Sequence, residues 1–191
     1  MPETRVLGSF LVIGTCGRLL DPVTSLWMLS WRETVSMSDR VTITIEAGIA
    51  DVKMNRPDKR NALDPAMFTA LAEAGEQLKT EPGVRVVVLS GEGKSFCAGL
   101  DMASMQAIAG NDDSEGRSTG NAGDMTEGRI THLAQQVCWV WQEVPVPVIA
   151  AVHGHALGGW IQIALGADIR IVPPDTKMSV REIYWGLVPD M

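Results

Sequence analysis

The stretch His153-Gly154-His155-Ala156-Leu157-Gly158-Gly159-Trp160-Ile161-Gln162 constrains the fold more than any other part of this chain. An apolar run over residues 148–152 leads into it, and a helix-like stretch over residues 160–167 follows. A strand that turns into a helix through glycines lets the backbone approach whatever lies above the turn, because no Cβ holds it off. The first N–H groups of the helix have no partner inside it and point at any negative charge placed there. The turn therefore reads as half of an oxyanion hole. The other half, and a group that carries a proton, must come from elsewhere.

A second turn has the same character. Residues 84–89 form a mostly apolar run of strand length, and Gly91-Glu92-Gly93-Lys94-Ser95-Phe96-Cys97-Ala98-Gly99-Leu100-Asp101 follows it. The N–H groups of Leu100 and Gly159 are the candidates to converge on one oxygen. Losing one donor of such a pair typically costs a factor of about a hundred to a thousand in rate. The enolate of a thioester is the kind of charge such a pair serves. Cys97 reads as a small packed thiol rather than a nucleophile, since no activating base is evident. Asp101 is either a helix N-cap or a catalytic carboxylate. For the proton, Glu182 and Asp190 lie in an apolar stretch near the end of the sequence, where burial suits a carboxyl to general acid–base work. The alternative for Glu182 is a surface carboxylate paired at most with Arg181.

The rest of the chain reads as strand, strand, helix, strand, an α/β pattern. Val41, Ile43 and Ile45 alternate with threonines, Ala47-Gly48 turns, and Ala50, Val52 and Met54 alternate again, which predicts a hairpin. Residues 55–61 form a loop with three cations, Arg56, Lys59 and Arg60, which is either a solvated loop or a phosphate-contacting patch. Asp64-Pro65 opens a helix as N-cap and first position, with Met67, Leu71, Ala74 and Leu78 on one face. Residues 107–126 are dominated by Gly, Asn, Asp, Ser and Thr and read as a lid or a disordered loop. Residues 129–143 predict a helix with Ile130, Leu133, Val137 and Val140 on one face, Trp139 and Trp141 on others, and His132 on its polar flank. Residues 168–172 read as a strand and 177–180 as a short extended piece. Residues 1–36 lack this patterning, and Met37 precedes the first well-patterned strand. The expectation is an N-terminal extension over 1–36 outside the fold, and one domain over 37–191.

A net charge of −7 argues against a nucleic-acid binder. No apolar run is long enough to span a bilayer, so no membrane partner is expected. Three cysteines, Cys16, Cys97 and Cys138, fit no metal spacing and point to a reducing compartment, here the cytoplasm, with no metal site.

These residues resemble the crotonase (enoyl-CoA hydratase/isomerase) family over about residues 41–190. The likeness rests on Asn55-Arg56-Pro57 with Asn61-Ala62-Leu63, on residues 95–101, on residues 151–159, and on Ala167-Asp168 followed by Glu182-Ile183. It implies a crotonase-like ββα spiral that binds an acyl-CoA, with no further cofactor, acting on an enoyl-CoA thioester in fatty-acid metabolism. The thioester carbonyl would sit between the N–H groups of Leu100 and Gly159. Arg60, Ala62, Leu63, Ala98 and Asp101 would hold the CoA, and Met102, Trp160 and Trp185 would line the acyl pocket, although each of these is also an ordinary core residue. Family hydratases carry a glutamate at the position of Gln162 and a second at that of Glu182. An amide can position a water but cannot take its proton. Asp190 falls where the dienoyl-CoA isomerase branch has an aspartate. The resemblance thus implies isomerase-like chemistry, with Glu182 shuttling a proton, Asp190 assisting and Gln162 alongside. Family members also continue into C-terminal helices that build a trimer or a hexamer. This sequence lacks them, so the domain is expected to be incomplete, and the alternative is an inactive truncated remnant or a CoA-thioester-binding module without catalysis.

Overall fold

A computed structural model describes residues 33–36, 38–101, 128–186 and 188–191. The hairpin forms where the alternation predicts it. β2 (Val41–Glu46) and β3 (Ile49–Met54) pair antiparallel, with Val41 opposite Met54 and Glu46 opposite Ile49. Ala47 and Gly48 between them both take positive φ, 52° and 83°. A two-residue connection of that hand matches the twist of the flanking strands. Val41, Ile43, Ala50, Val52 and Met54 turn to one face and are fully buried.

α1 (Pro65–Leu78) starts as expected. The Asp64 carboxylate accepts from the Met67 N–H at 2.9 Å and also takes the Arg40 guanidinium, which ties the helix start to the start of β2. Its apolar stripe, Met67, Leu71, Ala74 and Leu78, lies on the buried sheet face. The chain returns through β4 (Val86–Gly91), parallel to β3. α2 (Leu133–Glu143) then packs on α1, closely at Gly75, where a Cβ would stand 2.3 Å from a Val140 methyl. β5 (Val148–Ala151) lies parallel to β4, and β7 (Ile169–Ile171) parallel to β5. With β1 (Glu33–Ser36) on the far side of β2, the six strands stand in the order β1-β2-β3-β4-β5-β7. A second, two-stranded parallel sheet joins β6 (His155–Leu157) to β8 (Lys177–Ser179), and α3 (Gly159–Gly166) lies between β6 and β7 in the chain and packs on α2.

Three expectations are corrected here. The sheet takes up residues 33–36, four residues of the stretch expected to stay outside the fold, through backbone pairing that needs no apolar pattern. The helix expected from residue 129 begins at Leu133, because His132 caps it: the imidazole accepts from the Gln135 N–H and the Gln135 side chain accepts from the His132 N–H. Ile130, assigned to the buried face, is consequently outside the helix and 84% exposed. The loop at residues 107–126 and residues 1–32 lie outside the described residues.

Candidate active site

The two glycine-rich turns are stitched side by side. Phe96 and Cys97 donate their N–H groups to the carbonyls of His153 and His155, and Leu157 donates back to Cys97. Cys97 thereby bridges Ala156 in parallel register, and Leu100 bridges Leu63 on the other side. Both N–H and C=O bonds of that second bridge run between Leu63 and the flanking residues: Leu63 donates to Gly99, and Asp101 donates to Leu63. In a parallel bridge the central residue's own N–H faces the opposite edge. The Leu100 N–H is therefore turned from Leu63 toward the side where β6 runs. Leu100 and Gly159 each follow their bridged partner, Cys97 and Ala156, by the same three residues. Gly99 is close enough that a Cβ would stand 3.3 Å from the Leu157 carbonyl oxygen. Among the described residues, neither the Leu100 nor the Gly159 N–H has a protein acceptor.

Asn61 anchors the first turn. It is fully buried with φ of 56°, and its amide donates to the carbonyls of Glu92, Ser95 and Phe96 at 2.9–3.2 Å while its oxygen accepts from the Arg56 N–H. Left-handed backbone is tolerated best by Asn after Gly, so a loop Asn was the available signal for this anchor, which sequence reasoning missed. The hydroxyl of Ser95 meets His155 Nδ1 at 3.2 Å, and His153 Nε2 meets the Gly93 carbonyl at 3.1 Å, so both histidines hold turns. Cys97 is fully buried, its thiol on the Asn61 carbonyl, and burial pushes its pKa well above the ordinary thiol value. A thiol held neutral is a poor nucleophile, in agreement with the packed reading.

Glu182 arrives through the small sheet. Gly158 donates to Ser179 at 2.9 Å, Lys177 donates to Gly154 at 2.8 Å, and β8 hands the chain to a 3-10 turn, Glu182–Trp185. The Glu182 carboxylate lies over Gly158: a Cβ there would stand 3.2 Å from Oε1. Gln162 Nε2 donates to that same Oε1 at 3.0 Å, and Gln162 Oε1 accepts from the Met191 N–H at 3.0 Å. Glu182 Oε2 is enclosed and has no hydrogen-bond partner among the described residues. The Arg181 guanidinium stacks over the Tyr184 ring at 5.0 Å. The surface ion pair with Arg181 is therefore not the arrangement adopted.

Other candidates fall into place or fall away. Asp190 is exposed and makes no hydrogen bond to Glu182; it borders an open cavity of about 470 Å³ between α2, α3 and the last residues, on the other side of Gln162. The expected assistance to Glu182 is not seen as a hydrogen bond; the side chain that meets the Glu182 carboxylate is Gln162. The Met191 side chain covers Gly159, where a Cβ would stand 2.3 Å from its sulfur, beside Leu63. Asp101 pairs with Arg56 at 2.7 Å, the two side chains 12% and 15% exposed. Its carboxylate and one of the three loop cations are spent on each other, with Arg56 also on the Ala62 carbonyl. Lys59 and Arg60 remain exposed. Ala98 donates to the Arg60 carbonyl, which fixes this loop against the first turn. Trp160 is a core residue rather than a pocket wall: it is fully buried, edge-on to Phe96 with centroids 5.9 Å apart. Met102 and the Trp185 side chain lie outside the described residues. Among the described residues no cluster of His, Cys, Asp and Glu could hold a metal, and no helix is long and apolar enough to cross a membrane.

With this geometry in view, the comparison with known proteins is direct. The sequence model of the Enoyl-CoA hydratase/isomerase family matches residues 44–191. The chain is 30% identical over 146 residues to the peroxisomal Delta(3,5)-Delta(2,4)-dienoyl-CoA isomerase of Arabidopsis thaliana, covering 76% of this chain and 52% of that protein. It is 32% identical over 148 residues to the (E)-benzylidenesuccinyl-CoA hydratase of Thauera aromatica, covering 75% and 50%. An enoyl-CoA hydratase/carnithine racemase from Magnetospirillum magneticum superposes with a TM-score of 0.64 at 28% identity, over 81% of this chain and 54% of that one. The chain spans about half the length of the curated relatives it matches. The fold is that of the crotonases, as the sequence implied.

Proposed function

The chain belongs to the enoyl-CoA hydratase/isomerase family, and from that premise we propose that it binds an enoyl-CoA thioester and moves its double bond by shuttling one proton on Glu182. The observation that carries the reading is the carboxylate of Glu182 held over Gly158 with one oxygen unmatched, one residue before the N–H of Gly159. An enclosed acceptor without a partner is costly, on the order of 1–3 kcal/mol. A proton received there would satisfy it.

In the proposed reaction the thioester oxygen accepts from the N–H groups of Leu100 and Gly159. Glu182 takes a proton from C2 of a 3-enoyl-CoA. The electron pair of the C2–H bond enters the conjugated system, and the negative charge rests on the thioester oxygen. The same proton then returns at C4, and the double bond passes from C3–C4 to C2–C3. Atoms and charge balance without a co-reactant. Hydration of a 2-enoyl-CoA needs a second group to take a proton from water, and the amide of Gln162 cannot do so. Lys59 and Arg60 supply the exposed cations for the CoA phosphates, beside Ala62, Leu63 and Ala98. The Met191 side chain must leave Gly159 for the thioester to enter. We place the activity in fatty-acid metabolism and the protein in the cytoplasm.

The second reading is an inactive remnant or a CoA-thioester-binding module without turnover; Gln162 in place of a second carboxylate leaves Glu182 alone for the proton work. One experiment separates the two. The purified full chain is given a 3-enoyl-CoA and, separately, a 2-enoyl-CoA in labelled water. The isomerase reading expects 2-enoyl-CoA from the first, and Glu182→Gln slowing it by about a hundred- to ten-thousandfold. Rapid formation of 3-hydroxyacyl-CoA from the second would favour hydration instead, and binding with neither product would favour the module.

A further inference from the structure

We infer that Gln162 is a positioning residue that acts through Glu182 and leaves that carboxylate a single working oxygen. The inference rests on the reading of Glu182 as the base. Its own observation is the two-sided hold on the Gln162 amide. The Met191 N–H is a donor, so the amide end it meets at 3.0 Å is the oxygen. The other end, Nε2, is then the end that faces Glu182, and it donates to Oε1 at 3.0 Å. The orientation of the amide follows from its partners on both sides. Glu182 Oε1 thus holds a donor that cannot give up its proton. Oε2, enclosed and unpartnered, is the oxygen left to carry one.

The neighbourhood supports a closed shuttle. Gly158 and the amide of Gln162 lie against the Glu182 carboxylate. Arg181 is turned to Tyr184, and Asp190 is exposed across Gln162. No other described carboxylate or cation is hydrogen-bonded to Glu182. Among the described residues a proton taken from C2 onto Oε2 has no neighbouring acceptor to exchange with, and it returns to C4 of the same molecule. Replacing Gln162 by an apolar side chain opens Oε1 to water. The carried proton then exchanges with solvent before it is returned, and the carboxylate loses its fixed rotamer.

The test follows the proton. A 3-enoyl-CoA carrying deuterium at C2 is converted by the full chain in ordinary water, and the deuterium at C4 of the product is measured. Wild type should keep most of the transferred label. Gln162→Leu should lose most of it to solvent and lower kcat roughly ten- to a hundredfold, the range for one hydrogen bond to a charged group, with KM within about twofold. The near-isosteric Gln162→Met is read in the same way if the leucine variant does not fold. Label washed out already by wild type, or retained unchanged by a folded Gln162 variant, would overturn the inference while leaving Glu182 as base. Full isomerase activity in Glu182→Gln, or no turnover by wild type, would remove the base assignment itself and this inference with it.

Discussion

The hairpin layer and the glycine-turn layer are built on opposite terms. Around β2, β3, β4 and α1 the buried groups are mainly apolar, and the helix start is satisfied by Asp64 and Arg40. Around β6, β8 and α3 stand a buried carboxylate oxygen and the N–H groups of Leu100 and Gly159, all without protein partners among the described residues. Neutral polar atoms are unmatched on both sides, Gln77 Oε1 and Ser90 Oγ in the first layer and the indole nitrogen of Trp160 in the second. An unmatched carboxylate oxygen costs more than any of these, because it belongs to an ionisable group. The difference separates what holds the chain together from what the chain is for, and mutations should divide along the same line.

The largest effect expected is on the glycine-turn side. Glu182→Gln should lower isomerase turnover by about a hundred- to ten-thousandfold, the usual worth of a positioned general base. Its denaturation midpoint should stay near wild type, and a parallel loss of stability would break the comparison. On the other side, Leu71→Ala removes a fully buried side chain from α1 and should cost about 2–5 kcal/mol in denaturant unfolding. Turnover per folded molecule should be unchanged. Asn61→Ala should cross the line, because its amide joins the basic loop to the first turn. Leaving those carbonyls unmatched should cost on the order of 1–3 kcal/mol and also weaken acyl-CoA binding by calorimetry. If only one of the two changes, the layers are more independent than the hydrogen bonds indicate.

Smaller effects sharpen the picture of α1 against α2. Burial works to raise the Glu76 pKa, but hydrogen bonds from Lys79 and Arg129 outweigh it and leave it below the ordinary carboxylate range. Glu143 is lowered chiefly by its bond from Lys79. Burial works to lower Lys79, but its bonds to Glu143 and Glu76 leave it raised. The two carboxylates contribute stability above their unfolded-state pKa values, and lose it as pH falls through their lowered folded values. Lys79 contributes below its unfolded-state value, and loses it as pH rises through its raised folded value. Stability should therefore fall at both ends, modestly, since these side chains are 23–38% exposed. Unfolding midpoints against pH, flattened by salt, are the check. The smallest effect is none: Cys97 is fully buried, and burial pushes Cys138 up to about 12, so neither should react with a thiol reagent at pH 8 until the chain is unfolded.

What was legible in the sequence follows the reach of the signal. The hairpin and the start of α1 are written in local alternation, in a two-residue turn and in the Asp-Pro pair, and they stand where expected. Both glycine turns were legible as turns. Their convergence was expected from their like character, but the bridge of Cys97 to Ala156 that sets them side by side, far along the chain, was not legible. The Gln162–Glu182 bond joins residues twenty apart and exists because β6 and β8 pair in parallel. The resemblance implied Trp160 as a pocket residue although it is also an ordinary core residue, and it lies fully buried against Phe96. Ile130 looked buried by period, but the His132 cap starts the helix after it.

The central claim is that two N–H groups, at Leu100 and Gly159, meet one thioester oxygen beside Glu182. A crystal structure of the chain with a saturated acyl-CoA tests it most directly. The account predicts the thioester oxygen about 2.7–3.1 Å from both nitrogens, with the Met191 side chain displaced and C2 next to Glu182 Oε2. A thioester bound elsewhere, or lying at the turns with its oxygen directed away from either N–H, would contradict it.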